Sequence, residues 1–467
     1  MIRKQDILDR AAEWRLRPEV VEKDYILGWL LAGLGSSSLR DAWVFKGGTC
    51  VKKTYFETYR FSEDLDFSLL PHAAYDAGEI RAALVDLARR VTELSGIEFT
   101  EESIEVRPRR NRQGQPTFQC RIGYRGPLAY PGPPRVLFDL TREEPVLDPP
   151  ASRTVYHPYP DVLPEGVAVL TYSFDELLAE KVRALFERSR PRDLYDVVFL
   201  LENRPDAFDF TRVRALFREK CTTKQIPPPS SAELLAMVRG AAELRSEWAN
   251  MLGHQLPTLP DLDELLGRLP DLLRWIDEPA VTPSAMRLPA PPVPAGAGVL
   301  PSPGIQYWGG GSTMETLRFA GANRLLVEFE YHGRQRRAEP YSLRQARTGN
   351  VLLYAWEEEA GHIKAFNVAE IRNLRPSSRS FSPRYRVELS GIAPAPVSTA
   401  SSIAGLRTTS RRPRRTSVSY GPTYVFQCPY CQKRFRRTKN DSALRKHKAK
   451  DGYWDCPGRR GYIVEMK

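Results

Sequence analysis

The sequence predicts an α+β block followed by two small basic modules, and three observations carry that prediction. The first 278 residues alternate short apolar strands with amphipathic helices, then turn mostly helical from Ser173 onward. Two Pro- or Ser-rich stretches, residues 279–312 and 390–422, set apart a strand-rich block at 313–389 and a cysteine-bearing tail at 423–467. Charge divides the same way: residues 1–278 hold 38 basic and 44 acidic side chains, and residues 279–467 hold 31 and 13. A front of net −6 therefore precedes a back of net +18, so a polyanion such as nucleic acid is the expected partner of the back.

Composition excludes several classes. A chain of 467 residues that is 42% hydrophobic is globular, and its length suits about three domains. The longest apolar run, Tyr25 to Leu34, is about half of what a membrane span needs. The first residues lack the apolar core of a signal peptide, so a cytoplasmic chain with no membrane partner is expected. Six cysteines in this length exclude a disulfide scaffold.

Gln5–Arg15 and Glu19–Leu31 have helical spacing, with Pro18 at a helix start. Ala42–Phe45 is an apolar strand that runs into Lys46-Gly47-Gly48-Thr49, and Cys50–Thr58 is helical. Leu65–Leu69 alternates as a strand; Ile80–Leu94 is a helix; Thr117–Tyr124 and Arg135–Leu140 are further strands. Glycines 47 and 48 after a strand let the backbone approach a phosphate, held by amides opening the next helix, with the Thr49 hydroxyl as a further donor. Asp64 and Asp66, one residue apart on a strand, point to one face. Two such carboxylates repel unless a cation lies between them, and magnesium with a phosphate substrate is the usual answer. Ser62, two residues earlier, shares that face. In the helix after Ser173, Lys181 falls on the stripe of Phe174, Leu177, Leu178, Val182 and Leu185. A lysine there either snorkels to the stripe's edge or meets an anion.

Gly47-Gly48-Thr49 followed by Asp64-Leu65-Asp66 resembles the nucleotidyltransferase superfamily with the polymerase-beta-like fold. Val21-Glu22-Lys23-Asp24-Tyr25, the run Tyr172–Leu185 and Arg192-Asp193-Leu194-Tyr195-Asp196 resemble, more narrowly, the AbiEii/AbiGii toxins of type IV toxin–antitoxin and phage-abortive systems, to which MenT-type enzymes also belong. The resemblance covers roughly residues 1–275. It implies nucleotidyl transfer from a nucleoside triphosphate with Mg2+ or Mn2+ held by Asp64, Asp66 and Asp139. Asp139 stands as the lone acid of Val136–Leu140. It further implies that Lys46, Gly47, Gly48, Thr49, Ser62 and Lys181 bind the nucleotide, with Asp193 completing the pocket and holding Lys181. The acceptor is then an RNA, in some members a tRNA 3′ end, or a protein, and the implied partner is a cognate antitoxin.

Behind this block, eight prolines between Pro279 and Ser312 predict a spacer unable to hold a helix or a sheet ladder. Residues 313–389 read as a helix from Met314 to Ala322 and then strands at Leu325–Tyr331, Arg336–Ser342, Val351–Trp356 and Ile363–Val368, with a turn at His332-Gly333. This pattern resembles the WYL domain, a small SH3/Sm-like β-barrel. Arg334, Arg336, Arg337, Arg344 and Arg347 around its turns suit either phosphate contact or a solvated surface. In the tail, Cys428, Cys431, His447 and Cys456 suit structural zinc, with Phe435 and Leu444 as its apolar pair, and resemble a C2H2 finger in a Cys-Cys-His-Cys variant. Arg411, Arg412, Arg414, Arg415, Arg434, Arg436, Arg437 and Lys446 give it a nucleic-acid-binding surface of RNA or DNA type. Two other readings stay open: a DNA-binding regulator that senses a nucleotide, and a tail that restrains the enzyme.

Overall fold

Alternation decides the central strands. In β2 (Asp64–Leu69) the residues Leu65, Phe67 and Leu69 are buried, so Asp64, Asp66 and Ser68 take the opposite face. Phe67 stacks between Phe45 and Phe138 of the flanking strands, at 5.1 and 6.4 Å between ring centres. The computed structural model describes residues 1–111, 114–203, 208–278, 288–293, 298–299, 311–346 and 349–389. In the tail it describes 424–428, 433–437, 442–445, 447–448, 455–456 and 462–466. The chain forms two compact units, Met1–Thr399 and Ala400–Lys467, and each is treated by itself.

The first unit begins with α1 (Lys4–Trp14) and α2 (Pro18–Gly35). From Val20 to Gly35 every residue of α2 but Lys23 is buried, which is why this helix outruns the expected Leu31 end. Its acids are paired inside: Glu22 accepts the Leu128 N–H at 2.6 Å, and Asp24 takes Lys53 at 2.6 Å and the Tyr159 hydroxyl at 2.9 Å. β1 (Trp43–Lys46) then leads through a short helix, α3 (Gly47–Cys50), continued by a π-helical turn at Val51–Tyr55, towards β2. α4 (Ala77–Ser95) starts at an Asp76 cap and stops at Gly96. β3 (Glu98–Phe99), β4 (Glu105–Arg110), β5 (Pro116–Arg125), β6 (Arg135–Thr141), β7 (Ala151–Thr154) and β8 (Ala168–Thr171) complete a mixed sheet. Its order is β3-β5-β6-β2-β1-β8-β7, with β4 also paired to β5. β4 and β8 had no signal in the pattern.

Six helices follow: α5 (Phe174–Arg188), α6 (Pro191–Asn203), α7 (Phe210–Thr223), α8 (Ser231–Gly240), α9 (Ala242–Leu252) and α10 (Leu262–Leu272). Of the expected spacer, most lies outside the described residues. Its β9 (Gly298–Val299) nevertheless pairs with a later strand, so the reading that no ladder forms there fails at those two residues. Next come α11 (Gly311–Ala322), β10 (Leu325–Tyr331), β11 (Arg334–Gln345), β12 (Val351–Glu357), β13 (His362–Asn367) and β14 (Arg372–Ser380). The β10–β11 turn is His332-Gly333, both at positive φ as a two-residue hairpin requires. The strand order is β13-β12-β11-β10-β14, so among the described residues the end strands β13 and β14 do not pair. The expected closed barrel is thus an open sheet here, bent by irregular register at Pro340/Ser342 and Leu325/Val327.

This sheet is not merely tethered to the first block. Tyr195 of α6 donates to Asn323 at 2.6 Å, Asn203 donates to the Ala322 carbonyl at 2.9 Å, and Glu315 takes Arg10 at 3.2 Å and Trp14 at 2.8 Å. Its arginines are also largely committed. Arg336 pairs with Glu357 at 2.6 Å, Arg337 with Glu328 at 3.3 Å, and Arg344 with Glu388. Arg344 is buried in its pair and Arg336 half-buried, whereas Arg337 stays exposed; Arg347 lies outside the described residues.

In the second unit β15 (Tyr424–Gln427), β16 (Arg434–Arg437) and β19 (Tyr462–Met466) make one sheet, and β17 (His447–Lys448) pairs with β18 (Asp455–Cys456). A C2H2 finger would place its histidine on a helix. Among the described residues this unit has no helix, and His447 stands on a strand opposite Cys456. Residues 390–422, with Arg411, Arg412, Arg414 and Arg415, lie outside the described residues, as do Cys431 and Lys446.

Candidate active site

The β1–β2 turn brings the acids to one edge. Lys46 ends β1 opposite Asp66, and Asp66 in turn is in register with Asp139 on the parallel strand β6. Lys46, Asp66 and Asp139 thus form one row across three strands, with Asp64 one step along the same face. The turn depends on Gly47. Its φ is +79°, and a Cβ there would stand 2.1 Å from an Asp66 carboxylate oxygen. A Cβ on Gly48 would meet Arg60 at 2.7 Å and the Ser62 hydroxyl at 3.0 Å. Both glycines therefore make room for protein side chains of the site. The Thr49 hydroxyl is spent on the Asp64 carbonyl at 2.6 Å, where it ties the turn to β2.

The carboxylates carry the electrostatic cost of this closeness. Lost hydration, only partly offset by Lys46 and reinforced by Asp139 and Asp64, raises Asp66 from the ordinary 3.8 to about 6. Lost hydration also raises Asp64, beside Asp139 and Glu63, with Lys23 opposing. Asp139 is exposed and likewise raised by dehydration, with a 3.4 Å contact from Gln119 opposing.

A buried triad backs this edge. Lys181 of α5 reaches Asp196 at 2.7 Å, and Arg60 grips the same carboxylate through two nitrogens at 2.7 and 2.8 Å. Burial would raise Asp196, but Arg60 and Lys181 outweigh it and hold the carboxyl well below its usual range. Asp193 does not hold Lys181: its carboxylate takes Arg188 at 2.6 and 2.8 Å. The partner expected at Asp193 is Asp196, one helical turn further along α6. Lys46 in turn is paired with Glu144, which also takes Lys224. Arg192 lies near Asp64, Glu63 and Asp196, with its buried Nε unpartnered among the described residues.

The profile described as nucleotidyl transferase AbiEii toxin, type IV TA system, matches residues 29–272, just over half the chain. The chain belongs to the AbiEii nucleotidyltransferase toxin family. It is accordingly a nucleotidyltransferase. No curated protein matches the chain. Among solved structures, MenT4, a nucleotidyltransferase toxin from Mycobacterium tuberculosis, is similar over 61% of this chain and 90% of its own, at 21% identity and a TM-score of 0.38. No helix of the described residues is long and apolar enough to cross a membrane.

The second unit has its own donor cluster. Single ligand atoms of Cys428, His447 and Cys456 lie within 4.8 Å of one another. His447 Nδ1 is 2.8 Å from the Arg445 carbonyl, and its buried Nε2 has no hydrogen-bond partner. That arrangement fixes the tautomer and leaves the Nε2 lone pair for a metal. Leu444 and Phe435 pack around the cysteines, while Arg434 and Arg436 are exposed on β16. Cys50, Cys120 and Cys221 are buried in the first unit.

Proposed function

We propose that this AbiEii-family enzyme transfers a nucleotide from a nucleoside triphosphate to a hydroxyl of an RNA acceptor, with a tRNA 3′ end in the same chemical class. The observation that carries the reading is the register of Asp66 with Asp139 beside the Gly47 turn. The residues fit a divalent cation because lost hydration, with Asp139 and Asp64 alongside, disfavours the charged form of Asp66, a burden that a cation there would lift. When bound, magnesium or manganese at Asp64, Asp66 and Asp139 supplies charge neutralisation on the triphosphate. Asp139 accepts the proton of the attacking hydroxyl. The hydroxyl oxygen bonds to the α-phosphorus, the α–β bridging bond breaks, and pyrophosphate leaves. Lys181, Lys46 and Arg192 offset its charge, while Gly47, Gly48 and Ser62 shape the turn against which the triphosphate lies; Thr49 acts by anchoring that turn.

The wider reading has a toxin restrained by a cognate antitoxin in the cytoplasm, with Cys431 as the fourth ligand of a structural zinc. The boundaries 1–278, 313–389 and 423–467 stand as its proposed functional blocks. The exposed Arg434 and Arg436, with Arg437, Lys446 and the 411–415 cluster, supply its backbone-binding tail.

Two experiments test these statements. Label from an α-labelled triphosphate, incubated with the protein, magnesium and total bacterial RNA, is expected in nuclease-sensitive, protease-resistant material; label only in protein overturns the RNA acceptor. The purified chain is expected to carry one zinc, and a strong chelator to abolish the β-structure of residues 424–466 while the first unit keeps its melting transition. A tail whose amide spectrum is unchanged by metal removal contradicts the staple.

A further inference from the structure

The face of the sheet that carries the catalytic acids does not end at Asp139. The register continues from Asp66 to Asp139 on β6, to Gln119 on β5 and to Arg107 on β4. The neighbouring row runs Ser68, Thr141, Thr117, Arg109. Alternation puts all of these on one side, because Val106, Phe118, Cys120 and Phe138 pack inward on the other. Arg107 and Arg109 are exposed on the outermost strand, and Thr117, Gln119 and Thr141 are half-buried between them and the acids.

The charge along this surface is one-sided. Arg107, Arg109, Arg121 and Arg135 stand on it beside Glu105, which is shared between Arg107 at 2.6 Å and Arg135 at 2.9 Å. Arg109 has no ion-pair partner among the described residues. Strands lie roughly 4.8 Å apart, so Arg107 is about 10 Å from Asp139, and its long side chain covers much of that span. An edge strand needs some charge to avoid pairing with other sheets, and one or two arginines would do. That purpose does not require a polar track leading back to a catalytic carboxylate.

We infer that this surface is the track for the acceptor, and that its occupant is a single-stranded RNA end. The terminal hydroxyl lies at Asp139, the sugars beside Gln119, Thr117 and Thr141, and phosphates roughly two nucleotides back on Arg107 and Arg109. The amide and hydroxyl groups between acid and arginines favour RNA over DNA, because a ribose 2′-hydroxyl both donates and accepts there. This rests on the reading that the transfer is to RNA.

The test uses the full chain, an α-labelled triphosphate, magnesium and total bacterial RNA, with initial rates measured against RNA and against nucleotide concentration. An Arg107→Glu/Arg109→Glu variant is expected to raise the half-saturating RNA concentration at least tenfold, with nucleotide half-saturation and melting temperature unchanged. The milder Arg107→Gln/Arg109→Gln variant should move in the same direction, and its RNA half-saturation should depend less steeply on salt than the parent's. The tail is present throughout, so its own affinity is common to all. Label entering RNA with the parent's half-saturation in both variants overturns the track and leaves the RNA reading standing. Equal transfer to single-stranded DNA of matched length overturns the assignment to RNA. Label entering protein alone overturns the track and the RNA reading together.

Discussion

Asp196→Ala is expected to lower stability by about 3–5 kcal/mol, since it strands two buried cations around one vanished carboxylate. Arg60 is 3% exposed and Lys181 7%, so neither turns to water without moving α5 or the segment before β2. Arg60 keeps Gln255 at 3.0 Å, which limits the damage on its side. Lys181 loses the carboxylate it meets at 2.7 Å. Because Asp196 is held below its usual range in the fold, its contribution is present above the unfolded value near 4 and is lost only as pH falls through the folded one. The destabilisation should therefore be constant from about pH 5 upward. Chemical denaturation at several pH values measures it, and a cost below about 1 kcal/mol would show that the triad is not the clamp described here.

Asp66→Asn acts in the opposite direction on stability. Asp66 is raised to about 6 in the folded protein, so the fold disfavours its charged form. Stability attributable to this group falls as pH rises from about 4 to 6, since the folded state there binds more protons than the unfolded one. Replacing it with asparagine removes that loss. In metal-free buffer the variant is expected to exceed the parent by about 1–3 kcal/mol above pH 6 and to equal it near pH 4. A parent more stable than the variant at pH 8 would contradict the account. Under the proposed function the gain comes with a loss of activity, since carboxylates kept for a cation are ones that the metal-free fold would shed.

What could be read in advance follows from periodicity. β2 and β6 were legible because a period of two separates Asp64, Asp66 and Asp139 from Leu65, Phe67 and Phe138. Lys181 was legible as a cation on an apolar helical stripe. Asp196 was not, because it lies one turn from Asp193 on the same helix, and which of the two meets Lys181 depends on how α6 crosses α5. Glu144 sits in a loop with no period to betray it, and Arg60 pairs across 136 positions of chain. The β4 run Glu105-Val106-Arg107-Pro108-Arg109-Arg110 looks unlike a strand, with four charged residues and a proline. It is tolerated because an edge strand can lack a donor at Pro108. The resemblance to a C2H2 finger does not extend to a helix at His447 for a related reason: ligand spacing in the chain does not determine the secondary structure between ligands.

The central claim is that the Asp64–Asp66–Asp139 edge performs the transfer. The most direct measurement is single-turnover incorporation of label from an α-labelled triphosphate into RNA by the parent and by the better-folded Asp66→Asn protein, side by side at pH 8 with magnesium. Incorporation is expected from the parent, with a loss on the order of a thousandfold in the variant despite its higher stability. Incorporation by Asp66→Asn at the parent's rate would contradict the claim.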